Sequence, residues 1–359
     1  MGYRYIGSKD KLSDEIITEI NRINQNAESV IDLMAGTGLF SLALKENGYK
    51  VIASDMMTYS YHHLNVLLKL SAPPSFKGII KKIELDRYKK STLFELSNYE
   101  AVLKYLNKLK PVEGYFWKEF SPEGDPESTQ KPRKYFTSDN AKKIDAIRKK
   151  INEFKSCGLL SEVEYSLLVH DLIMATNDIA NIAGTYGHYL SKFVKRAKDE
   201  IQLKPFQFSN KGRTYGHQVY QGYAEDLSSK LSGDICYIDP PYIKRQYAAN
   251  YHVLETIARG DEPKANGVSG LRPWRDQYSN FCSKVKIRDS IQKIFHQINA
   301  PDVLFSYSED GLLEVDELMS IFETFGKVNL KIISHKRFKS NDSKLHPELK
   351  EYLIHVSMH

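Results

Sequence analysis

The chain reads as an α/β protein built on a parallel sheet, and three stretches predict it. Ser29-Val30-Ile31-Asp32-Leu33-Met34 is a short apolar run that stops at the turn Ala35-Gly36-Thr37-Gly38. Lys50-Val51-Ile52-Ala53-Ser54 is a second run, and it stops at Asp55. Ile235-Cys236-Tyr237-Ile238 is a third, ending in Asp239-Pro240-Pro241-Tyr242. Each places a chemically distinctive group where a buried strand meets its loop. In open α/β sheets ligands bind outside those carboxyl ends.

The elements follow in order. Residues 10–24 carry Leu12, Ile16, Ile17 and Ile20 at helical spacing, which predicts an amphipathic helix opened by Ser8 or Asp10. Leu39 to Asn47 reads as a second helix, ended by Gly48. Strand, glycine turn, helix, strand and acid make one βαβ unit with an expected right-handed crossover. From about 75 to 205 the text becomes charged and helical, with aromatic loops and helices over 140–155 and 160–180. No strand–helix alternation is visible there, so an insertion over 75–205 is expected within a catalytic domain of residues 1–74 and 206–359. Strand patterning resumes near 234–238 and again at 303–306, 328–333 and 352–356.

Composition bounds the function class. Among 359 residues, hydrophobic content of 41% and charged content of 27% are those of an ordinary globular protein. Lys+Arg 51 against Asp+Glu 45 gives +6, compatible with a polyanion partner without demonstrating one. Cys157, Cys236 and Cys282 lack metal-ligand spacing, so a reducing compartment is expected, with no disulfide framework and no metal. Met1-Gly2-Tyr3-Arg4 leads into no apolar signal region, and no apolar run is long enough to span a bilayer. The expectation is a cytoplasmic protein without a membrane partner.

The glycine turn lets backbone approach a ligand at a helix N-terminus, because Gly36 and Gly38 carry no side chain to block it. Asp32 and Ala35 flank that approach. Asp55 is placed to accept hydrogen bonds from ribose hydroxyls. The third glycine of a dinucleotide fingerprint is Ser41 here, and no Gly-Lys-[Ser/Thr] follows, which excludes a P-loop. These residues suit an adenosine-type cofactor, or a tight βα turn with a solvated acid. In Asp239-Pro240-Pro241-Tyr242, the Asp carboxylate and the Pro240 carbonyl are fixed acceptors beside the flat ring of Tyr242. That set matches a planar amino group held in plane while its ring is stacked.

A turn Asp-x-x-x-Gly-x-Gly, a later Asp-Pro-Pro-Tyr and an N-terminal Tyr5-Ile6-Gly7-Ser8-Lys9 occur in one order. That order resembles the alpha-class, Dam-type N6-adenine DNA methyltransferases. The resemblance implies a Rossmann-like methyltransferase sheet that uses S-adenosylmethionine, with a largely helical target-recognition insertion. It assigns Tyr5 and Lys9 to the cofactor, Asp55 to its ribose and Asp226, in Tyr223-Ala224-Glu225-Asp226-Leu227, to its adenine. Leu227 departs from the Phe of the family. Arg245-Gln246-Tyr247, Asn250-Tyr251-His252, Ser306-Tyr307-Ser308 and Lys336-Arg337-Phe338 resemble the branch of the FokI-type modification enzymes. That branch implies a separately encoded restriction endonuclease; a monomer is expected. The resemblance covers residues 1–60 and about 220–356 and thins out across the insertion.

The chemistry implied is methyl transfer to the N6 amino group of adenine in duplex DNA. Asp239 and Pro240 orient the amine, and Tyr242 stacks on a base flipped out of the helix. Tyr247 and Tyr251 add a second wall to that base, or pack in the loop core. Asn181 to Tyr189 reads as a Gly-hinged loop facing DNA, with Tyr186 as a wedge between base steps. Lys192, Lys195, Arg196 and Lys198 follow it. The basic runs 131–134, 142–150 and 192–198, with Arg245, Lys336 and Arg337, fit phosphate tracking, as they fit solvated helix faces. Competing acceptors are adenine in RNA, the cytosine N4 amine and a glutamine amide. A catalytically silent DNA-binding subunit and a nicotinamide oxidoreductase are readings from other classes.

Overall fold

A computed structural model describes residue 5 and residues 12–80, 82–84, 86–89, 96–127, 131–336 and 348–359. The chain forms two compact units, and the sheet belongs to the one made of the described residues of Gly7–Met56, Lys211–Gln246 and Tyr278–His359. Its strands are β1 (Ser29–Asp32), β2 (Lys50–Asp55), β3 (Gln218–Gln221), β4 (Ile235–Ile238), β5 (Asp302–Ser308), β6 (Gly326–Lys336) and β7 (Glu348–Met358). They lie in the order β3-β2-β1-β4-β5-β7-β6. The first five are mutually parallel, and β7 runs antiparallel to both β5 and β6. This is the α/β sheet expected from the sequence. Strands β1 and β4 are apolar because each has a neighbour on both edges and helices on the faces, which leaves little room for alternation.

The register brings distant chain together. Asp32 lies opposite Ala53 of β2 and Tyr237 of β4, so β1, β2 and β4 end on one edge. At the other end of β1, the Asp234 carboxylate accepts the N–H groups of Glu28 and Ser29 and the Ser29 hydroxyl, at 2.8–2.9 Å. That clasp joins segments 205 residues apart in sequence. Beneath the sheet, Ile31, Ile52, Cys236, Ile238, Val303 and Phe305 pack with Ile291, Phe295, Leu318 and Phe322 from flanking helices. Among the described residues the first helix is Ser13–Ile23, with Ile16, Ile17 and Ile20 inward; Ser8 and Asp10 lie outside the described residues.

The second unit is the described part of Met1–Ile6, Met57–Asn210 and Tyr247–Gln277. Among its described residues it is helical, with Thr58–Lys69, Asn98–Asn107, Ser138–Ser156, Glu162–Asp178 and His252–Arg259 as its longer helices. These boundaries differ from the sequence division at 75–205, for a physical reason. Glu255, fully buried, caps the N-terminus of Thr58–Lys69 by accepting the N–H groups of Thr58 and Tyr59, where the helix dipole also favours a carboxylate. It further accepts from Arg259 and Gln277 at 2.8 Å. From the other side, His62 and His63 reach Ser166 and His170 at 2.9 and 2.7 Å. Residues 57–74 and 247–277 therefore pack with the helical segment. Among the described residues, no helix is long and apolar enough to cross a membrane.

Candidate active site

The edge where β1, β2 and β4 end collects three carboxylates. Past β1 the chain turns through Gly36 at φ +54° and Gly38 at φ +79°, a left-handed region where a Cβ is strained. Gly38 caps the helix Leu39–Glu46. The turn is held on three sides: Ala35 N–H donates to the Ser54 carbonyl, Gly38 N–H to the Ala35 carbonyl, and Gly36 N–H to Asp55 Oδ2 at 2.9 Å. Asp55 thus ties the glycine turn to the end of β2, a role that its strand-end position alone did not reveal.

Asp32 is buried and accepts a 2.5 Å hydrogen bond from Ser41 Oγ. Burial, with the negative charges of Asp239 and Asp55, raises its carboxyl to about 7. Ser41 occupies the position where the dinucleotide fingerprint would have glycine. Its hydroxyl there supports the buried acid, a use invisible in the motif. Because Asp239 and Asp55 both act on Asp32, a cation near this edge is favoured over an anion.

At the end of β4, Asp239 is half-buried and Pro240 buried. Tyr242 is half-buried, packs against the sheet core and meets Tyr307 edge-on at 5.7 Å between ring centroids. Its carbonyl accepts Leu312 N–H at 3.0 Å. Downstream, the Gln246 amide makes a two-point contact with the Ser279 backbone at 2.8 and 2.9 Å. Arg245 is exposed. Asp226 is exposed too, paired with Lys293 at 2.8 Å, whereas its neighbour Glu225 is buried and accepts from Ser290 at 2.7 Å. Two adjacent acids in the sequence thus face opposite ways, and only the structure tells them apart.

The other unit holds the remaining described candidates. The Tyr5 ring stacks on Tyr251 at 4.9 Å and meets Tyr247 at 5.3 Å. Tyr251 is fully buried, which gives it the loop-core packing that the sequence left open. Tyr186 corrects an expectation. It is 1% exposed, its hydroxyl reaches Asn177, and its carbonyl accepts from Tyr135 and His252 at 2.6 and 2.9 Å. A ring so enclosed is core, not a wedge standing ready for a base step. Arg133 corrects another. The 131–134 run looked like phosphate tracking, yet the Arg133 guanidinium is fully buried, donating to Glu119 and to the Glu119, Gly267 and Val268 carbonyls. Arg148 is likewise buried, against the Asp261 carbonyl. Lys192, Lys195 and Lys198 are exposed, and Arg196 instead donates to the Ile182 carbonyl at 2.8 Å. Lys9 and Arg337 lie outside the described residues, as does the side chain of Lys336.

The profile of the D12 class N6 adenine-specific DNA methyltransferases matches residues 5–321. The chain is similar to the type II methyltransferase M.NlaIII of Neisseria lactamica, 35% identical over 94% of this chain and 92% of that one. It is 33% identical to the type II methyltransferase M.CviAII of Paramecium bursaria Chlorella virus 1, over 98% of this chain and 97% of that one. With the type II methyltransferase M.FokI of Planomicrobium okeanokoites it shares 34% identity over 98% of its own length, but spans only 52% of that relative.

Proposed function

The chain belongs to the D12 class N6 adenine-specific DNA methyltransferases, and we propose that it methylates the N6 amino group of a target adenine flipped out of duplex DNA. The observation that carries this reading is the shared edge of β1, β2 and β4, where a glycine turn and Asp239-Pro240-Pro241-Tyr242 face the same side of one sheet.

The residues present fit S-adenosylmethionine. Backbone amides at a helix N-terminus and three acids suit an adenosyl group that carries positive charge. When bound, that cofactor supplies an electrophilic methyl on a sulfonium. Asp32, Ala35, Gly36, Gly38 and Asp55 would hold it, with Tyr5, Lys9 and Asp226 assigned by resemblance alone. The protein's own part is to make a poor nucleophile attack. Asp239 and the Pro240 carbonyl accept the two N–H bonds of the adenine amine and draw the nitrogen lone pair out of conjugation. Asp239 then stabilises the positive charge that develops on nitrogen, and the proton leaves after the N–C bond forms. Tyr242 stacks on the base, a contact worth about 1–3 kcal/mol.

We assign target recognition to the helical unit, where the exposed Lys192, Lys195 and Lys198 supply phosphate contacts. The type II names of the relatives support a role as the modification half of a restriction–modification pair. Single-molecule sequencing of DNA from a methylation-free host expressing the chain tests the reading. N6-methyladenine at one recurrent motif is expected, absent with Asp239→Ala. Unmodified DNA with the parent chain, or modification on another base, would overturn it.

A further inference from the structure

Tyr242 does not hold its place alone. Strand β5 ends at Ser308, and the chain bends back at once, with Gly311 N–H donating to the Ser308 carbonyl at 2.9 Å. The next N–H, of Leu312, donates to the Tyr242 carbonyl. The one after, of Leu313, donates to the Tyr307 hydroxyl at 3.0 Å. Tyr307 is fully buried, and its ring lies edge-on to the Tyr242 ring. Gly311 passes so close that a Cβ would sit 2.1 Å from Tyr307 Cε1 and 2.6 Å from its hydroxyl. Glu351 of β7, also buried, lies a long 3.5 Å from the Tyr242 hydroxyl. Backbone, ring and hydroxyl of Tyr242 are thus each met by the same corner of the sheet.

We propose that the end of β5 and the bend after it, residues 307–313, with Tyr307 and Gly311 as positioning residues, set the height and tilt of the Tyr242 ring and thereby where the flipped base comes to rest. The inference rests on the methyltransferase reading and adds to it the part that fixes the stacking wall. Gly311 is the sensitive point. Any side chain there must push Tyr307 aside, and Tyr307 carries both the Leu313 hydrogen bond and the Tyr242 contact. A wall displaced by about 1 Å leaves cofactor uptake alone but spoils the alignment of amine and methyl, a loss of up to about 100-fold in rate.

The test compares Gly311→Ala and Tyr307→Phe with the parent on an oligonucleotide bearing the motif that sequencing identifies. Tyr307→Phe keeps the ring and deletes only the hydroxyl, so it remains informative where the alanine fails to fold. Both are expected to lower kcat about tenfold or more, with calorimetric affinity for S-adenosylmethionine unchanged. A 2-aminopurine placed at the target position should change its fluorescence, reporting altered stacking of the extruded base. Parent-like kcat and fluorescence in either folded variant would overturn the proposal, as would a loss of cofactor affinity equal to the loss of kcat. A parent chain that methylates nothing refutes the function itself, a result distinguishable from either.

Discussion

Replacing Asp32 by Asn tests the electrostatics of the active edge. The folded carboxyl sits near 7 against an ordinary 3.8, because burial and the neighbouring Asp239 and Asp55 disfavour its charge. An acid raised by folding binds its proton more tightly in the native state, so the native chain holds more protons than the unfolded one between those values. Stability then falls as pH rises through that window and levels off above about 7. The span from 3.8 to about 7, at about 1.4 kcal/mol per pH unit, sets an upper limit of about 4 kcal/mol. Asparagine keeps the shape and still accepts from Ser41, but it has no charge to bury. Urea unfolding of parent and variant from pH 4.5 to 8 should give curves that diverge with rising pH, the variant gaining by about 1–4 kcal/mol at the top of the range. Two curves that run parallel across that range would refute the account of Asp32.

Three further outcomes follow from the geometry. Arg133→Met strands Glu119 as an unpaired buried charge and should cost about 3–5 kcal/mol in urea unfolding, with part recovered by adding Glu119→Gln; a cost under about 1 kcal/mol contradicts the buried pair. His217 accepts Val51 N–H at Nδ1 and donates from Nε2 to the Arg213 carbonyl, and burial lowers its pKa from 6.5. The latch needs the neutral ring, so its stabilisation is present above that ordinary value and lost as pH falls through the lowered one; Val51 amide protection, corrected for intrinsic exchange, should drop between pH 7 and 4. Changing Lys192, Lys195 and Lys198 together to Gln should flatten the slope of log affinity for DNA against log salt by about 2–3, and an unchanged slope removes these lysines from the interface.

The sequence disclosed the sheet where local pattern and burial agree. The run from Ser29 to Asp55 alternates strand, turn and helix with glycines at the bends, and the structure follows it almost residue for residue. The strand end before Asp239-Pro240-Pro241-Tyr242 was legible for the same reason, since the apolar run stops where β4 stops, at Ile238. What stayed hidden depends on partners far away in the chain. Nothing in the 131–134 run distinguishes an Arg133 whose guanidinium meets carbonyls and a carboxylate from one reaching for phosphate. A tyrosine between two glycines looks exposed until Tyr135 and His252 close over Tyr186. Ser41 looks like a defect in a fingerprint until Asp32 is found beneath it. Glu255, too, reads as one more helical acid, although it caps a helix that begins 197 residues earlier.

The clasp between Asp234 and Ser29 has a consequence for the order in which the molecule can come into being. Strand β1 finds its second neighbour only when chain 205 residues further on has been made. At synthesis rates of about 5–20 residues/s that interval is about 10–40 s. Until then Asp32 and the glycine turn exist without Asp239, and β1 presents an open edge. A nascent or truncated chain ending before β4 therefore has Asp32 and the glycine turn without Asp239-Pro240-Pro241-Tyr242. The edge is complete only when β4 has paired with β1 and β5, made later still, has paired with β4.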